Sequence, residues 1–423
     1  MKSKKEIIDS LLNRGVITNI LPTREELEKK LNSDEKLKIY IGADPTSAAL
    51  HLSHAKNYMI LEEFRQLGHE VYVLIGDFTA RIGDPSEKTS ARNQLSREDV
   101  NVNVKSWLRQ IKPLMDFEAK VNPPKVVYNN DWLAKLTMEE VVNLASNFTV
   151  QQMLERDMFE KRMTENKPIF LHEFLYPLMQ GYDSVALEVD IELCGTDQIF
   201  NALAGRTLLK KLKNKEKFVV AVNLMENPVN GELMSKSRGT GIFLDFSPED
   251  MYGGIMAQPD EMIKVFLVNN TRMPLAEIDK LLEEDNPRDA KMKTAKMITA
   301  IFHGRDLAQK AEDYFVSKIQ KKEAPDDVEE VKLEIELGGI TLFELVKKAS
   351  PDISGSEIRR LIIQSAVRLN GETKNNEKEI IHVNDESYVL NIGKRRWIKM
   401  KVSSASFKLK GGSVDINLKK HKT

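Results

Sequence analysis

The segment Leu37–Ile75 constrains the fold of this chain more than any other. Leu37–Gly42 (LKIYIG) is apolar, β-rich and closed by a glycine, as a buried strand would be. After the loop Ala43–His54, residues Ala55–Leu67 carry Tyr58, Met59, Leu61, Phe64 and Leu67 at helical spacing, and Gly68 stops the helix. Val71–Ile75 (VYVLI) is a second apolar strand. Strand, helix and strand within about forty residues make a right-handed parallel crossover. Lys217–Leu224 (KFVVAVNL) reads as another inner strand, reached after a long helical stretch, Met138–Lys211. Residues 1–246 are therefore expected to form an α/β domain with a large helical insertion.

Ser247–Ile319 has no convincing strand but helical patterns at Asp260–Val268, Leu275–Leu282 and Ala290–Phe302, so residues 247–319 read as an all-helical domain. Lys321–Lys332 (KKEAPDDVEEVK) is charge-rich with a proline, which places a linker at 320–335. Residues 336–402 read as a small α+β module. Its helices are expected at Leu342–Lys348 and Gly355–Gln364 and a short strand at Ala366–Leu369, followed by a turn at Asn370-Gly371. Paired strands at Tyr388–Ile392 and Trp397–Val402 complete it, and 403–423 is a basic tail. Residues 331–423 carry 18 basic and 11 acidic side chains, a balance of +7; residues 1–330 carry 45 and 53, a balance of −8. A basic end on a near-neutral body suits a polyanion held at one place. Apolar runs such as Val71–Ile75 are too short to span a bilayer, and Glu6 and Asp9 interrupt any signal-peptide core. The single cysteine, Cys194, fits a reducing compartment, so a soluble, cytoplasmic protein without membrane association is expected.

Two segments carry the chemistry. In Tyr40–His54 (YIGADPTSAALHLSH), Asp44 follows a strand end, and His51 and His54 lie three apart on the first turn of the next helix. Loops at the carboxyl ends of parallel strands bind ligands, and a helix start flanked by two imidazoles can hold anionic oxygens. No third ligand sits at a zinc spacing, so no metal site is expected. In Gly231–Thr240 (GELMSKSRGT), two glycines flank a Ser-Lys-Ser-Arg core able to close over a polyphosphate, with Lys236 as point charge and Ser235 and Ser237 as donors. The spacing is not that of a Walker loop. Taken singly, the histidines fit a capping pair and the second segment a solvated polar turn. Tyr176, Gln180 and Asp183 fall on one helical face at i, i+4 and i+7. That face is either a partly polar surface or a buried carboxylate beside a hydroxyl donor.

Together the two segments resemble the HIGH and KMSKS signatures of the class I aminoacyl-tRNA synthetases, in their order, their separation (180 residues from His54 to Met234) and their placement after strands. Two positions depart: Ser53 stands where that signature has glycine, which lets an adenine ring approach the backbone, and Leu233 replaces the first lysine of the second. Tyr-x3-Gln-x2-Asp followed by Cys194-Gly195-Thr196-Asp197-Gln198 looks like the bacterial tyrosyl-tRNA synthetases in particular, of the subtype with a KMSKS-like loop. That resemblance spans nearly the whole chain and implies a Rossmann-like catalytic domain. It implies that Tyr40 and Asp183 bind the substrate phenol, and that Thr79 and Asp84, with Tyr176 and Gln180 nearby, hold its ammonium. Asp44, Thr46, His51, His54, Gly195, Asp197, Met234, Ser235 and Lys236 would bind ATP, Asp197 and Gln198 serving the adenylate ribose and substrate carboxyl. Lys88 and Arg92 would accompany the departing pyrophosphate, and His51, His54, Lys88, Arg92, Lys236 and Ser237 together would stabilise phosphoryl charge.

The terminal module resembles the small RNA-binding domain of a ribosomal small-subunit protein, through SGSEIRRLIIQSAVRLNGE and NIGKRRWIKM. There Arg359, Arg360, Arg368, Lys394, Arg395 and Arg396 would form one basic face for RNA phosphates. The implied activity is ligation of tyrosine to tRNA(Tyr) with ATP and magnesium as co-substrate, no tightly bound cofactor, and a homodimer through the helical insertion. Two rivals stand beside it. One is a non-catalytic RNA-binding paralogue, motivated by Ser53 and Leu233. The other is the sister tryptophanyl enzyme, disfavoured because an indole offers Tyr40 no phenol acceptor.

Overall fold

Six short apolar runs pair into one sheet in the first of two compact units, residues 1–312. They are β1 (Ile17–Leu21), β2 (Lys38–Ala43), β3 (Glu70–Ile75), β4 (Lys125–Tyr128), β5 (Ile191–Gly195) and β6 (Phe218–Val222), in the order β1-β6-β5-β2-β3-β4. All pairs are parallel except β1 with β6. This computed structural model describes residues 3–84, 96–234, 241–320, 329–335, 339–382, 387–393 and 396–404.

The crossover expected from Leu37–Ile75 is present, with helix α1 (Leu52–Gln66) between β2 and β3. Strands are added outward from β2 towards β4 and then from β5 towards β6, so the strand order reverses between β2 and β5, which pair in parallel, and their carboxyl ends open a crevice at that switch point. The long helical stretch expected at Met138–Lys211 is broken by β5. Ile191 and Leu193 of that strand are buried, and the polar Glu192 between them hides the apolar run in the sequence. Helix α2 (Tyr176–Leu187) precedes β5 and helix α3 (Ile199–Lys213) follows it. A Cβ on Gly181 of α2 would lie 3.0 Å from the Gly205 nitrogen of α3, so these two glycines set how closely the helices pack.

Five helices follow: Pro248–Met256, Met262–Asn270, Leu275–Glu284, Pro287–His303 and Arg305–Tyr314. They are tied to the sheet domain by buried polar groups. Arg14 donates to the carbonyls of Leu267, Val268, Thr271 and Met273 at 2.7–3.0 Å. Asn270 Nδ2 donates to the Leu52 carbonyl at the start of α1 at 2.8 Å. An unmet guanidinium at Arg14 would be costly to bury, so these bonds hold the helices against the α/β part.

The second unit, residues 313–423, has its own core of Leu345, Val346, Ile358, Ile362, Leu390, Ile398 and Met400. Its strands are β7 (Glu329–Ile335), β8 (Ile340–Thr341), β9 (Val367–Leu369), β10 (Glu372–Lys374), β11 (Ile380–Ile381), β12 (Ser387–Ile392) and β13 (Arg396–Ser404). Five of them form a sheet in the order β10-β9-β12-β13-β7, and β8 pairs with β11. Asn370 and Gly371 join β9 to β10 with φ of 50° and 85°, the left-handed pair that a two-residue hairpin needs. One expectation is corrected here. The linker placed at 320–335 ends in a strand, because Val331, Leu333 and Ile335 alternate with charged residues and pair in parallel with β13. The run of charges conceals that period of two.

Candidate active site

The crevice at the carboxyl ends of β2 and β5 is a cavity of about 800 Å³. Asp44, one residue past β2, is its fixed point: Thr79 Oγ1 donates to its Oδ1 at 2.6 Å and the Tyr176 hydroxyl to its Oδ2 at 2.8 Å. Gly76 at the end of β3 makes room for this, since a Cβ there would lie 1.9 Å from Asp44 Oδ1. Three segments far apart in the chain thus meet on one carboxylate.

His51 caps α1 and His54 sits one turn in, their ring centroids 4.0 Å apart. The His51 backbone N–H donates to His54 Nδ1 at 3.2 Å, so that nitrogen is an acceptor and the proton of neutral His54 lies on Nε2. Burial, then the nearby Lys56 ammonium, lowers the His51 pKa to about 4; burial, then His51, pushes His54 well below its usual value. Both imidazoles are neutral N–H donors at neutral pH. His51 Nδ1 is buried without a partner.

His69, outside the cavity and 2% exposed, is lowered to about 4 by burial and then by Lys4. A folded pKa below the unfolded value contributes stability that is complete above about 6.5 and lost as pH falls towards 4. Denaturation midpoints should therefore fall across that window. The fall should be shallower in His69→Gln, which keeps an acceptor for the Leu37 N–H now bonded to His69 Nδ1 at 3.4 Å. Equal slopes in both proteins would contradict the assignment.

The three residues of the face expected on α2, Tyr176, Gln180 and Asp183, all border the cavity. Asp183 is 2% exposed; Trp132 Nε1 donates to its Oδ1 at 2.7 Å and Asn129 Nδ2 to its Oδ2 at 3.4 Å. Burial pushes its pKa up, and these two bonds oppose that shift. Gln180 donates to Glu192 Oε1 at 3.1 Å and accepts from Asn201 at 2.9 Å. Tyr40 behaves differently. It is fully buried, its hydroxyl 3.1 Å from Ser184 Oγ, and it is absent from the lining residues.

Asp84 and Gln198 meet at the rim, where Gln198 Nε2 donates to Asp84 Oδ2 at 2.8 Å and Arg156 of the helical insertion lies 3.6 Å from Asp84 Oδ1. Thr46, Gly195, Asp197 and Met234 also border the cavity, as do the two departures, Ser53 and Leu233. Lys88, Arg92, Ser235, Lys236 and Ser237 lie outside the described residues, as do Lys394 and Arg395. Sequence reasoning missed Asn129, Trp132, Glu192 and Lys56. Lys56 is the one Lys or Arg among the described lining residues; burial lowers its pKa to about 7, Asp197 opposing. Its position two residues past His54 was the available signal.

In the second unit, Arg359 pairs with Glu377 at 3.0 Å and stacks 4.6 Å from the Phe343 ring centroid. Arg360 pairs with Glu357 at 2.6 Å, and Arg396 holds Asp352 through both terminal nitrogens at 2.5 and 2.8 Å. The expected basic face is thus interleaved with acids, and an RNA phosphate would have to displace exposed, weakly held partners.

Residues 32–319 match the family described as tRNA synthetases class I (W and Y). The chain is 42% identical over 401 residues to the tyrosine–tRNA ligase of Carboxydothermus hydrogenoformans, covering 92% of this chain and 96% of the relative. It is 39% identical to that of Thermotoga maritima, covering 92% and 96%. Among solved structures, a truncated mitochondrial tyrosyl-tRNA synthetase of Aspergillus nidulans superposes with a TM-score of 0.61 at 23% identity, over 73% of this chain and 92% of that one. The tyrosyl-tRNA synthetase of Archaeoglobus fulgidus complexed with L-tyrosine gives 0.56 at 20% identity, over 73% and 100%.

Proposed function

The chain belongs to the class I tRNA synthetases for tryptophan and tyrosine, on the tyrosine–tRNA ligase side, and from that premise we propose how its residues divide the chemistry. The reaction joins tyrosine to tRNA at the expense of ATP. The substrate carboxylate attacks the α-phosphate in line, pyrophosphate leaves, and a terminal ribose hydroxyl of the tRNA takes the tyrosyl group. Neither step needs a covalent enzyme intermediate or a strong base, so catalysis is positioning and stabilisation of phosphoryl charge.

The observation that carries the reading is that one cavity is bordered by two neutral imidazoles and by a buried carboxylate already held by two donors. His51 and His54 donate N–H to phosphate oxygens. Asp183 accepts a hydrogen bond from the substrate phenol, and Tyr40 joins it by turning its hydroxyl from Ser184. Asp84, Thr79, Tyr176 and Gln180 hold the ammonium; Asp44, Thr46, Gly195, Asp197 and Gln198 seat the nucleotide and carboxyl. Lys88, Arg92, Lys236 and Ser237 meet the pyrophosphate, and magnesium arrives with ATP. Tyrosine-dependent exchange between ATP and pyrophosphate tests this activation half.

We place the protein in the cytoplasm as a homodimer, joined through the helical insertion. In support, no described helix is long and apolar enough to cross a membrane. The insertion exposes Met138, Val142, Val150, Met163, Phe170 and Leu171, the first and last by 79% and 81%. Light scattering should report twice the chain mass.

The second unit is assigned to tRNA through Arg359, Arg360, Arg368, Lys394, Arg395 and Arg396. Deleting residues 313–423 should leave pyrophosphate exchange nearly intact and lower tRNA charging sharply. Binding of tRNA should also lose part of its salt dependence, because each freed phosphate contact removes about one released counterion. Equal loss of exchange and charging on the same preparation would make the unit a structural support instead.

A further inference from the structure

A buried ion pair to which the division of roles above gives no part has one member, Glu192, in the cavity wall and the other, Lys217, behind it. Lys217, at the entry to β6, is 0% exposed and its ammonium contacts the carboxylate of Glu192, itself 2% exposed. The same ammonium donates to Ser184 Oγ at 2.6 Å and lies 5.9 Å from the Tyr40 ring centroid. Space for it is built in. A Cβ on Gly205 would stand 2.7 Å from Lys217 Nζ and 2.9 Å from Ser184 Oγ, so α3 carries a glycine where it passes the pair. A hydrophobic pair would fill this volume without the cost of desolvating two charges, so stability alone is weak reason for it.

The consequence appears at Gln180. Ionised Glu192 can only accept hydrogen bonds, so the amide facing its Oε1 at 3.1 Å must present the NH₂ group. The Gln180 carbonyl is thereby turned the other way, where it accepts from Asn201 Nδ2 at 2.9 Å. Asn201 also donates to Gln198 at 2.9 Å. An oxygen facing the cavity attracts a substrate ammonium; an NH₂ group in its place would repel it. Resting on the tyrosine reading of this site, we propose that the Glu192–Lys217 pair is a positioning device that fixes the Gln180 amide with its carbonyl available to the substrate ammonium. Lys217 compensates the Glu192 charge and pins that carboxylate through Ser184, so the orientation is set before the substrate arrives.

The test compares ligands with and without the ammonium. In the double variant Glu192→Gln/Lys217→Met both charges go together, leaving no lone buried ion, and the new amide can face Gln180 with either end. In pyrophosphate exchange the KM for tyrosine should rise about tenfold or more, the order lost with one hydrogen bond to a charged group. The KM for ATP should stay within about twofold. The inhibition constant of 3-(4-hydroxyphenyl)propionate, which keeps phenol and carboxyl but lacks the ammonium, should be unchanged. Glu192→Asp, which draws the carboxylate back while keeping the pair, serves if the double variant does not fold, and should show the same selective loss. Equal weakening of tyrosine and the propionate, or no change in either, would overturn the proposal. Absence of tyrosine-dependent exchange in the unaltered protein would instead refute the tyrosine reading on which it rests.

Discussion

Asp183→Ala should lower tyrosine activation by about a hundredfold or more while leaving the protein able to bind ATP. The carboxylate is the acceptor at the buried end of the α2 face, and its two oxygens are already oriented by Trp132 and Asn129. Without it a bound phenol is buried with no acceptor and the Trp132 N–H loses its partner. An unmet hydrogen bond to a charged group costs roughly 3 kcal/mol, on the order of a hundredfold in kcat/KM before any rearrangement of the cavity. Asp183→Asn keeps the shape and should fare little better, because its NH₂ group confronts either the indole N–H or the phenol proton. Exchange kinetics at saturating ATP measure this loss. Retention of wild-type tyrosine kinetics in Asp183→Asn would show that the carboxylate is a structural hydrogen-bond hub only.

Lys236→Ala should lower the rate of adenylate formation by about 10²–10³, the usual cost of removing one preorganised electrostatic donor, with little change in tyrosine affinity. In the proposed division of roles Lys236 is the point charge of the loop, Leu233 standing where the signature has its first lysine. Met234 anchors the approach to it, buried and with its N–H on the Met225 carbonyl at 3.0 Å. Pre-steady-state burst kinetics separate adenylation from binding, and an unchanged burst rate would make the segment an ordinary polar turn. Ser53→Gly is the companion: tighter ATP binding would mean that the serine is tolerated at a cost.

Where function follows a local period, the sequence was readable. The β2–α1–β3 crossover, the two signature histidines and the i, i+4, i+7 face of α2 depend on neighbours a few residues away, and all reappear in the cavity. The support beneath them depends on long-range contacts and could not be read. Trp132 and Asn129 reach Asp183 across 51 and 54 residues, and Lys217 reaches Glu192 across 25. Strand β5 was hidden because Glu192, the residue that makes it interesting, breaks its apolar run. Tyr40 was assigned to the phenol by resemblance, yet its hydroxyl lies on Ser184. The basic face of the second unit was expected from resemblance and net charge, neither of which shows that Glu357, Glu377 and Asp352 pair with three of its arginines.

The most direct test of tyrosine selection through Asp183 is ATP–pyrophosphate exchange measured with tyrosine, phenylalanine and tryptophan on the same full-length preparation. A site built around a buried phenol acceptor predicts rapid exchange with tyrosine and at least a hundredfold lower kcat/KM for phenylalanine, on the order set by one unmet charged hydrogen bond. Tryptophan should give no exchange above background. Comparable exchange with phenylalanine and tyrosine, or faster exchange with tryptophan, would contradict it.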